Sequence, residues 1–430
     1  MQPIKAKSNS KLTTLILGAL AALVVVSVIL FPDKAFQSSL EGLTVWWKLV
    51  FPAMMPFLIM TELLIGFGVI QGAGVLLEPL MRGIFRLPGV SGWALVSGLI
   101  VGFPTGAKIT ASLREKKLIS RTETEQLTAL SHLCSPLFLI IVVGVGFLHS
   151  AKLGVVLAVV HYISAIATGI LQMKFSRKTQ QLASPASEHS PALLSPEPRS
   201  ASVWRQAFIT MRQAYLHDGR AFGKLLGDAV TSSVQTLMLV GGYMMIFSVL
   251  INVVHISHLT DILKPATHAL LQYMNIHTDT SAEWVTGMLE IHLGAYAWSQ
   301  AQGLSLLGQM ALISAFLGWG GLSAHAQVAG FQHQTEARYR IFFRSRVLHA
   351  VLAFIFTILL WKPLQLLLAE TEPSFLWLDK TTNESPAASF PLNGDSAWSL
   401  WGPMLTQFLL VLLIMLMAST FIRAFRKKAL

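Results

Sequence analysis

Cysteine and charge are what this chain has least of. Cys134 is the single cysteine among 430 residues, which excludes an intramolecular disulfide and any cysteine-built metal cage. Charged residues make up 12% of the chain, about half of the roughly 25% found in ordinary soluble proteins. So few charges cannot cover the surface of a water-soluble body of this size. Catalytic signatures are missing as well. The chain has no phosphate loop ending in Gly-Lys-Ser/Thr, no His-Glu-x-x-His helix and no Gly-x-Ser-x-Gly elbow. These absences argue against ATP hydrolysis and against an enzyme, and neither a cofactor nor a metal is expected.

What is present is hydrophobic: 53% of the residues. Residues 12–31, 153–173, 341–361 and 402–422 are runs almost free of charge, each long enough as a helix to cross roughly 30 Å of hydrocarbon. Spans are expected near 12–31, 45–70, 124–149, 152–174, 228–254, 305–331, 342–361 and 402–422. The first follows Lys5, Lys7 and Lys11 without a small-x-small cleavage site, so it reads as a retained span. Two more apolar segments, 90–113 and 282–303, are broken near the middle and read as re-entrant hairpins. The expected fold is an all-α polytopic membrane protein of about eight transmembrane helices plus two such hairpins.

The net charge of +11 comes from 32 Lys and Arg against 21 Asp and Glu. These cations lie between apolar runs, so they read as topology signals, not as a nucleic-acid surface. If both hairpins enter and leave on one side, most of the basic residues gather in the N-terminus, 71–89, 114–123, 174–227, 332–346 and the C-terminal tail. The positive-inside rule then puts those segments and both termini in the cytoplasm. The loop carrying Glu370, Glu372, Asp379, Glu384 and Asp395 falls on the opposite side.

The same reading divides the chain into an N-terminal transmembrane anchor (1–44), a first repeat (45–174) and a cytoplasmic linker (175–227). A second repeat (228–361), an extracytoplasmic loop (362–398) and a C-terminal helix with a basic tail (399–430) follow. The stretch 175–203, with Pro185, Pro191, Pro196 and Pro198, is expected to be flexible. Each repeat reads as span, short amphipathic segment, interrupted hairpin, broken span, span. Leu-Leu-Glu-Pro at 76–79 corresponds to Ile-Leu-Lys-Pro at 262–265. An odd number of crossings per copy makes the repeats inverted, an architecture in which broken helices bind solute near the midplane.

The interruptions carry the candidate chemistry. In 102–108, Gly-Phe-Pro-Thr-Gly-Ala-Lys, Pro104 and the glycines should stop a helix that restarts at Thr105 and Gly106. A restarted helix offers free amides to an anion, and Lys108 adds a positive charge one turn in. The alternative for Lys108 is snorkelling to the cytoplasmic face. In 289–295, Leu-Glu-Ile-His-Leu-Gly-Ala, Glu290 and His292 could meet a ligand or carry a coupling proton, or Glu290 could pair internally with a lysine. The broken spans add Ser131, His132, Cys134, Ser135 and Pro136, and Gly318, Gly320, Gly321, Ser323, His325 and Gln327. His132 and His325 are each more often packed side chains than ligands. Glu62 is a further intramembrane carboxylate that faces the same cavity or pairs internally.

Several of these stretches resemble one family. They are Phe-Pro-Ala-Met-Met-Pro-Phe (51–57), Leu-Leu-Glu-Pro-Leu-Met-Arg (76–82), Gly-Phe-Pro-Thr-Gly-Ala-Lys (102–108), Ser-Pro-Leu-Phe (135–138), Leu-Glu-Ile-His-Leu-Gly-Ala (289–295) and Gly-Gly-Leu-Ser-Ala-His-Ala-Gln-Val (320–328). Together they look like the YlbJ family of sporulation integral membrane proteins. That family carries a nucleoside-recognition, or gate, domain and is similar in plan to concentrative nucleoside transporters. The resemblance implies an endospore-forming bacterium and movement of dipicolinate across the outer forespore membrane. The chain departs from the family pattern at Ser-His-Leu-Cys-Ser-Pro, where an Asn-rich approach is expected, and at His292, where a small hydroxyl residue is expected. The expected partners are the lipid bilayer, a small anion such as dipicolinate or else a nucleoside, and a coupling H+ or Na+. A membrane assembly or signalling protein that moves nothing is the rival from another class.

Overall fold

The computed structural model describes residues 11–180, 202–261, 264–265, 280–333 and 335–369, with Leu413 and Met417. Among them all regular structure is helical. In the first half these are α1 (Lys11–Leu30), α2 (Pro32–Val45), α3 (Phe51–Gly66), α4 (Val69–Leu76), the short turn α5 (Glu78–Leu80), α6 (Ser91–Ile100), α7 (Thr105–Glu115), α8 (Arg121–Ser131) and α9 (Ala151–Gln180). They continue as α10 (Val203–Asp218), α11 (Phe222–Ile256), α12 (Ser281–Leu289), α13 (Ile291–Gln300), α14 (Leu306–Trp319), α15 (Gly321–Gln332) and α16 (Tyr339–Ala369). Wider π-helical turns run over Trp46–Val50, Met81–Phe85 and Phe138–Phe147.

Among the described residues, five helical stretches are long and apolar enough to cross a membrane: Pro32–Gly66, Ala151–Lys174, Phe222–Ile256, Leu306–Gln332 and Tyr339–Leu368. This agrees with a polytopic helical membrane protein. The expected span at 45–70 in fact starts earlier, because α2 runs through the π turn into α3 without a break. Lys34, which lies ahead of that expected span, therefore sits on a helix. Apart from Leu413 and Met417, the expected span at 402–422 lies outside the described residues, as do 181–201 of the linker and 370–398 of the acidic loop. Part of the 175–227 linker is ordered: α10 lies against α4, where Gly68 and Gly72 let the backbones of Met211 and Ala207 come close.

Small residues hold α2 and α3 against α11, as is usual where lipid offers no hydrophobic drive for association. A Cβ on Gly42 would meet the Met244 carbonyl oxygen and the Ser248 side chain at 3.0 Å. Ser248 Oγ donates to the Ser38 carbonyl (2.7 Å), and Trp46 Nε1 donates to the Leu237 carbonyl (3.0 Å). Glu62 takes the internal alternative, since Ser232 Oγ donates to it at 3.0 Å. Helix α16 packs on α14 and α9 in the centre. There Gly318 faces the Ala350 backbone closely enough that a Cβ would lie 3.0 Å away.

The two halves are also pinned together by a buried carboxylate. Glu125 on α8 is 1% exposed and accepts from the backbone N–H (2.8 Å), Nε (2.9 Å) and an Nη (2.9 Å) of Arg338, just ahead of α16. Arg121 Nε lies 3.4 Å from Oε1 of the same carboxylate. Glu125→Gln is expected to cost on the order of 1 to 3 kcal/mol. The lower end is favoured because the Arg338 side chain is half exposed and screened by water. Melting of the purified protein in detergent measures it, and a variant that melts with its parent would show that this pin contributes nothing.

Candidate functional site

Both interrupted segments are hairpins. In a continuous helix, residues eight apart are separated by about 12 Å. Here a Cβ on Gly106 of α7 would lie 3.0 Å from the Cα of Gly98 on α6, so the chain has doubled back. Gly98 and Gly106 both press on the carbonyl of Ser131, where an added Cβ would overlap the oxygen. The reversal is made by Gly102, at φ +84°, and a cis Phe103–Pro104 bond. The second hairpin closes in the same manner: a Cβ on Gly294 of α13 would collide with the Cα of Gly287 on α12. Its turn is Glu290, in extended conformation between the two arms.

Glu290 is 2% exposed and caps the helix it precedes, accepting from the Leu293 N–H at 2.7 Å. His292 Nδ1 lies 2.8 Å from its Oε1, and Ser323 Oγ donates to the same oxygen at 3.3 Å. Glu290 therefore pairs internally with a histidine, not with a lysine. The close approach of Ser323 depends on the break between α14 and α15. Gly320 and Gly321 have φ of +91° and +72°, and Gly321 packs on the backbone of Glu290 and Ile291. A side chain at Gly321 would be strained twice, by its φ and by that contact.

The first hairpin meets this cluster through Phe103 at its tip. The Phe103 ring lies 5.8 Å from the His292 ring, 5.7 Å from His132 and 5.9 Å from Phe138. His132 and Phe138 flank the break in the other broken span, where α8 stops at Ser131, residues 132–135 are not helical, and the helix resumes at Pro136. Ser135 Oγ accepts from the Phe138 N–H (3.2 Å) and caps that restart. Ser131 shares a hydrogen bond with Thr110 of α7 (3.1 Å). Two hairpin turns and two helix breaks thus gather in one buried region, the kind of irregular backbone tolerated at membrane depth only inside protein or along a cavity.

Of the residues singled out from sequence, Glu290, His292, Ser323, Gly320 and Gly321 form one connected group. Pro104 adjoins it through Phe103, Gly106 packs on Ser131, and Ser135 lies against Gly102 at the same turn. Thr105 begins α7 and is half-buried. Lys108 and Gln327 lie outside the group: Lys108 is exposed and has no ion pair among the described residues, and Gln327 is half-buried on α15. His325 takes the packed role, with Nδ1 2.7 Å from Tyr339 Oη and Nε2 3.1 Å from the Trp319 carbonyl.

Sequence reading missed Arg346. It was counted among the cytoplasmic cations of 332–346, yet it is 2% exposed on α16. One Nη donates to the His132 carbonyl at 2.8 Å and the other to the Ala129 carbonyl at 2.5 Å. Those oxygens are left over where α8 ends, because the Leu133 N–H turns to Ser131 instead of Ala129. The guanidinium also lies over Phe342, 5.4 Å from the ring centre. The available signal was an arginine inside an apolar run with His349 three residues on, and therefore on the same helix face.

The Gate family model, described as nucleoside recognition, matches residues 47–167. That interval holds the first hairpin, the first broken span and Phe103. The sporulation integral membrane protein YlbJ of Bacillus subtilis (strain 168) is 39% identical over 398 residues, covering 92% of this chain and 94% of that protein. No solved structure matches the chain. Identity at that level through nearly the whole of both proteins shows that this chain belongs to the YlbJ family of sporulation integral membrane proteins.

Proposed function

We propose that this membrane protein transports a small organic anion, dipicolinate, during endospore formation. The observation that carries the reading is the meeting of two hairpin turns and two broken helices around Phe103, His132, Glu290, His292 and Ser323. A protein that only assembles others has no need to bury discontinuous backbone and ionisable groups together. Solute carriers use that arrangement to expose a site alternately to the two sides. Membership of a sporulation family and a gate-type domain fit the same role. In this reading the halves are inverted repeats, both termini are cytoplasmic, the membrane is the outer forespore membrane, and H+ or Na+ drives movement.

Nucleosides are the second reading. The matched domain is described as nucleoside recognition, and Glu290 with Ser323 offers the polar partners that a ribose would take. Purified protein in proteoliposomes separates the readings. Radiolabelled dipicolinate is expected to accumulate in a protein-dependent manner while uridine does not. Uridine flux without dipicolinate flux would transfer the assignment to nucleosides. Flux of neither would favour an assembly or signalling role.

A further inference from the structure

The proposed anion needs a counter-charge, and Lys108, one turn past Pro104, is exposed and makes no ion pair among the described residues. Arg346 is the buried cation at the break. Its two Nη groups are held by carbonyls, its Nε has no partner, and among the described residues no carboxylate pairs with it. A full charge taken out of water with only neutral oxygens around it is costly, and ionisable residues at membrane depth, which pair with one another or with backbone carbonyls, mark substrate pathways.

The surroundings repeat the pattern. His132, whose carbonyl Arg346 holds, is 3% exposed, and neither of its ring nitrogens has a hydrogen bond. The His161 and His349 rings lie 4.7 Å apart, tilted by 44°, and keep an unpartnered Nδ1 each. His292 keeps an unpartnered Nε2 across the Phe103 ring. The large majority of buried side-chain polar atoms are paired, so this concentration of orphaned nitrogens around one unneutralised guanidinium marks a place for an acceptor that the described residues do not supply.

We propose that Arg346, with His132, is the carboxylate-binding subsite of this protein, taking one carboxylate of a small planar dicarboxylate. Phe103 on the first hairpin is the ring that covers it. The inference rests on the anion-transport reading and specifies which residues hold the charge. Nitrogen donors on Arg346 and His132 meet the carboxylate oxygens, and the half-buried Phe103 offers its face to a flat ring.

The test is binding by the full-length chain in nanodiscs, titrated with pyridine-2,6-dicarboxylate and with its neutral diamide. The parent is expected to prefer the dicarboxylate. Arg346→Gln is expected to weaken dicarboxylate binding by about 10- to 150-fold and to leave the diamide unchanged. A strut that only shaped the pocket would weaken both ligands alike. His132→Ala removes a ring that makes no hydrogen bond, and is expected to lower dicarboxylate affinity by about 3- to 10-fold. If Arg346→Gln fails to fold, His132→Ala and the parent's own preference carry the test. An unchanged affinity in His132→Ala, or a parent that binds diamide as well as dicarboxylate, overturns the proposal. So does a folded Arg346→Gln protein that binds dicarboxylate like its parent, and in that case the transport reading stands. A parent that binds no dicarboxylate overturns both.

Discussion

Gly98→Ala is expected to abolish folded protein. A helix interior normally welcomes alanine over glycine by about 1 kcal/mol. At Gly98, however, the new methyl would occupy the position of the Ser131 carbonyl oxygen, and the contact is backbone to backbone, so no side-chain rotation relieves it. Opening the crossing would separate α6 from α8 and carry the hairpin tip away from His132. The cost belongs with the rare substitutions above about 4 kcal/mol. Gly242→Ala is the control, because a Cβ there meets nothing within 4 Å on α11 and should be neutral or slightly stabilising. Size-exclusion profiles of the two variants in detergent make the comparison. A Gly98→Ala protein that elutes and melts like Gly242→Ala would mean that α6 and α8 do not cross at that carbonyl.

Glu290→Ala has the second large effect. The carboxylate caps α13, faces His292 and accepts from Ser323, and all of these residues are buried. Its removal strands three polar groups at once. Loss of one partner from a buried network costs about 3 to 5 kcal/mol, far above the roughly 1 kcal/mol of a simple cap. Glu290→Gln keeps an acceptor oxygen and should fall between parent and alanine. Thermal melting of the three proteins gives the order. If alanine and glutamine melted together, the second oxygen and its charge would have no structural part, and the cluster would have to be held by the Gly321 contact alone.

The breaks were legible because glycine and proline act locally. Gly-Phe-Pro-Thr-Gly at 102–106 and Gly-Trp-Gly-Gly at 318–321 cannot carry an uninterrupted helix, and the turns fall at those places. Glu290 was legible for a different reason, since a carboxylate within an apolar segment has to be accounted for. Lys108 and Arg346 show where such reasoning stops. Both are cations near a hydrophobic boundary, and one-dimensional sequence does not tell which of them has turned inward. Burial of Arg346 depends on α8 ending at Ser131 with spare carbonyls, which couples residues more than two hundred positions apart. The Glu125 to Arg338 contact was missed for the same reason.

The hairpin arms α6 and α13 have 10 residues each, or about 15 Å of helix, half the depth of the hydrocarbon. In the re-entrant reading, the insulation between the two faces of the membrane would narrow to a few side chains where such arms stop. An electric potential falls mostly across the least conducting layer, so the voltage would be concentrated around the hairpin turns instead of being spread through the whole bilayer. Each charge that crosses is worth about 2.3 kcal/mol per 100 mV. A dianion moving alone would therefore gain or lose about 4.6 kcal/mol at that potential, and its movement would register as a current.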